Sequence, residues 1–204
     1  EFVDTFLKLY PDVAVILNVD EDHLDYFGSL DNIIKSFHKF ASKATKALVV
    51  NGDDANTLKA IEGIDREVIT FGWNKKNDYS AEITSKKGLV TTFDLYYKGE
   101  RVDEFAIHVP GEHNVLNALA AIAAARYSGV SYGGISLGLQ TFFGAIRRFE
   151  KTDCVKGITI VDDYAHHPQE ISCTLKATKE LDFNRVWAVF QPFTYSRTEI
   201  LMDD

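Results

Sequence analysis

Apolar positions in the first seventy residues follow two rhythms. Val13 to Val19 (VAVILNV) is a nearly unbroken apolar run of strand length, the pattern of a buried, parallel strand. After the polar stretch DEDHLDYFGS, the residues Leu30, Ile33, Ile34, Phe37, Phe40, Ala41 and Ala44 recur at steps of three and four. That spacing predicts an amphipathic helix, with Ser29 placed to cap it. Ala47 to Asn51 predicts a second strand, Asn56 to Ile61 a short helix and Glu67 to Phe71 a third strand. Alternating strands and helices are the mark of an α/β fold.

The rhythm then changes. Tyr79 to Thr84, Leu89 to Tyr97 and Arg101 to Val109 are strand-like, separated by the turn signals Lys86-Lys87-Gly88 and Lys98-Gly99-Glu100. They predict an antiparallel meander, either an insert or an extension of the first sheet. His113 to Ser128 is alanine-rich and apolar on most faces, a buried helix closed by Gly129. Gly134 to Phe143 is a second helical stretch. After Arg147-Arg148-Phe149 a new α/β run begins: a strand over Gly157 to Val161, a helix from Pro168 to Leu181, a strand over Arg185 to Phe190 and a helix over Tyr195 to Met202. A domain boundary is expected near Phe149 to Asp153, dividing the chain into 1–149 and 150–204.

Composition narrows the classes. Of 204 residues, 46% are hydrophobic and 25% charged, which is ordinary for a globular chain and excludes a disordered tail or a disulfide scaffold. No apolar stretch approaches the roughly 20 residues of a membrane span. The net charge of −8 argues against non-specific nucleic-acid binding, which needs basic patches. Cys154 and Cys173, with no CxxC, suit a reducing compartment, so no disulfide and a cytoplasmic location are expected. The chain starts at Glu1 without a signal peptide, and the expectation is a piece of a longer protein.

Five polar motifs stand out, and four of them fall where a strand or loop runs into a helix. Asp20, Glu21, Asp22, His23 and Asp25 follow the first strand, at the edge where open α/β sheets bind ligands. They suit either a divalent cation or a solvated acidic turn that caps a helix. Asn114 and Asn117 open the alanine-rich helix, and their amides suit either a purine edge or an N-cap. Arg147 and Arg148 at the boundary suit a phosphoryl group or plain surface exposure. Asp162-Asp163-Tyr164-Ala165-His166-His167-Pro168 offers groups that orient a nucleophile or take a proton near neutrality, or that merely cap the next helix. Arg197, in Gln191-Pro192-Phe193-Thr194-Tyr195-Ser196-Arg197, suits a substrate carboxylate or the surface.

Taken together, ILNVDEDHLDYF, GEHNVLNALAA, RRF, DDYAHHPQEI and FQPFTYSRT resemble the Mur ligases of peptidoglycan synthesis, in the family's order and over nearly the whole chain. DDYAHHP is the most specific and is similar to the branch that joins L-alanine to UDP-N-acetylmuramate. The resemblance implies a central ATPase-type sheet with flanking helices and an antiparallel section, followed by the start of a Rossmann-like C-terminal domain. It implies ATP and Mg2+, with an acyl phosphate formed on the muramoyl carboxylate and attacked by the amine. By resemblance, His23 is a magnesium ligand, Asn114 and Asn117 are adenine-side contacts, and Arg148, with Arg147, is a phosphate contact. Asp163, Tyr164, His166 and Arg197 resemble residues that hold the amino acid and the reacting groups. Phe193 stands where the family usually has His, and Ala165 where Gly is more frequent. The sequence has no G-x-x-x-x-G-K-[ST] phosphate loop, so this polypeptide alone is expected to be inactive. Two rival readings keep the fold: a recycling ligase that attaches a whole tripeptide, and a binding module without catalysis.

Overall fold

In a computed structural model, the structure describes residues 2–192 and Glu199. Arg197, Phe193 and the helix expected over Tyr195 to Met202 lie outside the described residues, apart from Glu199. A kinked 3-10 segment, Phe2–Lys8, leads into β1 (Val13–Ile16), the one-turn α1 (Leu24–Phe27), α2 (Leu30–Ala41), β2 (Ala47–Asn51), α3 (Ala55–Ala60) and β3 (Glu67–Gly72). Next come β4 (Tyr79–Lys87), β5 (Val90–Tyr97), β6 (Glu100–Ile107), α4 (Glu112–Tyr127) and α5 (Tyr132–Gln140). The last elements are β7 (Glu150–Val155), β8 (Ile158–Asp162) and α6 (Pro168–Lys179).

Strands β1 to β6 form one sheet in chain order. Pairs β1–β2, β2–β3 and β3–β4 are parallel, while β4–β5 and β5–β6 are antiparallel. The expected meander is therefore an extension of the first sheet and not an insert. Side-chain alternation splits the core in two. Ala14, Ile16, Leu48 and Val50 face Ile33, Ala41 and Ala60 from the helices between the strands. Val49, Phe71, Phe93, Leu95 and Phe105 share the other face with Val115, Leu119 and Ile122 of α4. Because β2 is covered on both faces, it reads as an unbroken apolar run.

Helix signals in the sequence act as expected. The Ser29 hydroxyl accepts from the Asn32 N–H at 3.4 Å, and Gly129 after α4 takes the left-handed conformation at φ 87°. Pro168 opens α6 in its first turn. The tight Lys98-Gly99 and Lys156-Gly157 turns have positive φ at both residues (51° and 83°, 51° and 81°), as two-residue hairpins require.

Three expectations need correction. The first strand ends at Ile16 instead of Val19. The Val19 N–H donates instead to Asp54 Oδ2 (3.0 Å), and its carbonyl accepts from Asn56 Nδ2 (3.0 Å), so side chains at the start of α3 take the place of a neighbouring strand. Glu150–Val155, where no strand is expected, forms β7, which pairs antiparallel with β8. Arg185 to Phe190 forms no strand: among the described residues β8 pairs only with β7, and Trp187 and Val189 stay 81% and 98% exposed. A strand needs a ladder partner for its backbone groups. Both cysteines are free and exposed, and no helix among the described residues is long and apolar enough to cross a membrane.

Candidate active site

The parallel strands end at one edge of the sheet. β6 runs in the same direction as β1 to β4, because two antiparallel steps restore the direction, so the N-terminus of α4 lies at that edge too. This edge gathers the Asp20–His23 loop, the start of α3 and the first turn of α4. The segment 162–170 docks beside it.

Arg147 and Arg148 lie in a short turn between α5 and β7. Arg147 and Phe149 both adopt left-handed backbone (φ 59° and 50°), which costs a non-glycine residue free energy unless neighbours hold it. The neighbours are present. The Arg147 N–H donates to Glu150 Oε2 (2.8 Å), the Arg147 carbonyl accepts from the Tyr164 N–H (2.8 Å), and the Phe149 N–H donates to Asp163 Oδ2 (3.0 Å). Asp163 Oδ2 also accepts from the Thr174 hydroxyl (3.0 Å), and Oδ1 accepts from the Ala165 N–H (2.8 Å). One carboxylate thus ties the arginine turn, the loop after β8 and α6 into one unit.

The tyrosine and histidines stand on that frame. The Tyr164 ring lies 4.8 Å from the Arg147 guanidinium and meets the His166 ring edge to face at 5.2 Å. His166 Nδ1 is 2.8 Å from the Tyr164 carbonyl oxygen, which can only accept. Nδ1 therefore carries the hydrogen, and Nε2 of the neutral ring is the atom able to take a proton. His167 shows the opposite pattern. Its Nδ1 accepts from the Gln169 N–H (3.3 Å), and its Nε2 donates to the Glu21 carbonyl (3.0 Å).

Glu170 is the residue that the motif reading passed over. Its Oε1 is 3.0 Å from Arg148 Nη1, and its Oε2 accepts from the N–H groups of His166 (3.2 Å) and His167 (3.4 Å). Burial pushes its carboxyl upward, but these N–H groups and the guanidinium outweigh it and hold the group below the usual carboxylate range. The signal was present in the sequence as a cap residue followed three positions later by Glu, the pattern of a capping box, here with His167 at the cap.

The remaining candidates lie along the same edge. Asn114 Nδ2 donates to the Pro110 carbonyl (2.7 Å), and Asn117 Nδ2 to Asn114 Oδ1 (3.2 Å), leaving Asn117 exposed at the head of α4. His113 is exposed, yet the protein atoms around it still desolvate its ring in part. That desolvation lowers its pKa, and Asp163 pulls weakly the other way. Lys86 of β4 bridges Glu112 of α4 (3.0 Å) and Glu180 at the end of α6 (2.8 Å), so charge pairs link the end of α6 to β4 and to the start of α4. His23 caps α1 in left-handed backbone (φ 50°), with Asp22 Oδ2 3.6 Å from its Nε2. Among the described residues no three His, Cys, Asp or Glu side chains converge as metal ligands. Mg2+ prefers oxygen ligands, usually keeping several waters and taking one or two carboxylates beside phosphate oxygens, so the Asp22 carboxylate fits it and the His23 imidazole is the less usual second ligand. A cavity of about 300 Å³ with a mixed polar and apolar lining lies by the arginine turn, bordered by His108, Phe143, Phe149, Glu150 and Lys151 among others and by none of the candidate site residues.

Known proteins match this chain along its length. A profile of the Mur ligase middle domain matches residues 3–125, and one of the Mur ligase, glutamate ligase domain matches residues 147–204. The chain belongs to the Mur ligase family. The UDP-N-acetylmuramate–L-alanine ligase of Caldanaerobacter subterraneus subsp. tengcongensis is 46% identical over 207 residues, covering 100% of this chain and 45% of that protein. This Mur ligase chain thus spans under half the length of the curated relatives it matches. The UDP-N-acetylmuramate–alanine ligase crystal structure from Thermotoga maritima superposes with a TM-score of 0.75 at 32% identity, over 87% of this chain and 40% of that one. A murein peptide ligase from Psychrobacter arcticus superposes with a TM-score of 0.65 at 28% identity, over 93% and 39%.

Proposed function

We propose that the intact protein joins L-alanine to UDP-N-acetylmuramate at the expense of ATP, acting in the cytoplasm as an early peptidoglycan-precursor ligase. The observation that carries this reading is the convergence of Arg147, Arg148, Asp163, Tyr164 and His166 on one frame beside the α4 N-terminus. The 46% identity to an L-alanine ligase favours this acceptor. In this reading residues 1–149 belong to the ATPase domain and 150–204 to the amino-acid domain.

Asn114 and Asn117 serve the adenine side of ATP. The γ-phosphoryl group passes to the muramoyl carboxylate, forming an acyl phosphate and ADP. Arg148, with Arg147 beside it, neutralises charge on the transferring group. The L-alanine ammonium gives a proton to His166 Nε2, its amine attacks the acyl carbon, and as the C–O bond to phosphate breaks the phosphate leaves with the second amine proton, giving the amide. Tyr164 and Arg197 orient the amino acid, and Asp163 fixes the loop that carries Tyr164 and His166. His23 and Asp22 would hold Mg2+, which supplies further charge neutralisation at the phosphates.

The test uses the gene product from its natural start to its natural stop codon, with ATP and UDP-N-acetylmuramate. Products are weighed by mass spectrometry after addition of L-alanine or of the tripeptide L-alanyl-γ-D-glutamyl-diaminopimelate. The reading expects the L-alanine adduct alone. Adduct with the tripeptide alone would instead establish the recycling reaction, for which Phe193 in place of the family's usual His is the one motivation in the sequence.

A further inference from the structure

We propose that Glu170 is a positioning residue: it holds the Arg148 guanidinium in line with the phosphoryl group that Arg148 contacts. The inference rests on the reading of Arg148 as that contact. A capping-box glutamate uses its carboxylate to accept the N–H at the helix cap. Oε2 of Glu170 does this, taking the N–H groups of His167 and His166. Oε1 is not needed for the cap, and it pairs with Arg148 Nη1 at 3.0 Å. The carboxylate therefore divides its two oxygens between helix α6 and the arginine turn.

Arg148 sits between two left-handed residues that are fixed by Glu150 and Asp163, so its Cα is held in place. The far end of a long side chain still needs an anchor, and Tyr164 offers only a 5.8 Å approach to its ring. Glu170 supplies a directional one. With one Nη1–H engaged and 52% of the side chain exposed, other guanidinium donors remain open to an anion. The arrangement also links the arginine turn to the histidine loop, so the groups serving phosphate and amine move together.

A purely structural role and a positioning role separate in two variants. Gln serves in a capping box but has one acceptor oxygen, so Glu170→Gln cannot satisfy both the cap and Arg148. Asp keeps the charge at the helix start but is too short to reach Arg148. In the intact gene product, both variants are expected to lower kcat ~10- to 100-fold, the range a misplaced binding group costs, with KM for L-alanine changed less than about twofold. Placed on Arg148→Ala, neither is expected to lower kcat further. The same fold-loss with and without Arg148 would overturn the proposal. A second readout does not depend on turnover. In the wild type, NMR exchange of the Arg148 guanidinium protons with solvent is expected to be slowed, and both variants are expected to restore fast exchange. Unchanged exchange would overturn the proposal even in a protein without ligase activity, whereas a wild-type protein without turnover would count against the ligase reading alone.

Discussion

His167 and Glu21 meet across 146 positions of the chain: the imidazole Nε2 donates to the Glu21 carbonyl at 3.0 Å. The same ring caps α6 through Nδ1, so one neutral tautomer satisfies both contacts. The loop after β1 and the helix after β8 are thereby joined by a single side chain. In the proposed reading these two segments carry the metal site and the amine-handling groups.

His167→Ala removes both bonds. Loss of a cap costs about 1 kcal/mol, and the Glu21 carbonyl returns to water at little further cost. The expected result is a loss of about 1–2 kcal/mol in denaturant unfolding, with faster amide exchange confined to residues near Glu21 and to the first turn of α6. Faster exchange in α6 alone would show that the contact across the chain contributes nothing.

Asp54 is expected to matter more. Its Oδ2 accepts from the Val19 N–H (3.0 Å), the Thr57 N–H (2.9 Å) and the Thr57 hydroxyl. Val19 is 1% exposed, so its N–H has little access to water as a substitute. Asp54→Ala combines a lost cap with an unsatisfied buried donor, and a destabilisation of about 2–4 kcal/mol in urea unfolding is expected. Asn56→Ala, which frees only the Val19 carbonyl, is expected to cost about 1 kcal/mol.

Much of this fold is legible in the sequence, and the reasons lie in particular residues. β2 is covered on both faces and reads as ALVVN. α2 is covered on one face and shows its three- and four-residue steps behind Ser29. β7 is hidden because its residues, EKTDCV, stay largely exposed and carry no apolar alternation. Arg185 to Phe190 misleads in the opposite way: the run has strand composition, but pairing is a tertiary property that composition does not encode. At the candidate site the residue types are visible one by one in RRF and DDYAHHP. The division of Glu170 between two partners and the reach of His167 to Glu21 depend on chain segments far apart in sequence, and no local pattern announces them.

Acid should weaken the fold in two steps. His113 has a lowered pKa, so the native state binds its proton less readily than the unfolded chain does. The stability it leaves intact near neutrality is lost as pH falls from about 6.5, the ordinary imidazole value, through the lowered native value. Glu170 is lowered in the same sense, so its contribution is present above the ordinary carboxylate value of about 4.3 and is lost below it. Unfolding free energy measured against pH should therefore decline first below about 6.5 and again below about 4.3. His113→Gln should flatten the first decline and Glu170→Gln should reduce the second. A profile with the first decline intact in His113→Gln would assign it to another group.

The central claim is tested most directly by phosphate release. The gene product, expressed from its natural start to its natural stop codon, is supplied with ATP, Mg2+ and UDP-N-acetylmuramate, and release is followed with and without L-alanine. The account predicts steady release only when both the nucleotide sugar and L-alanine are present, and a lowered but still measurable rate in Arg148→Ala. Folded protein that releases no phosphate with either L-alanine or tripeptide would contradict the account and leave a binding module with a ligase fold.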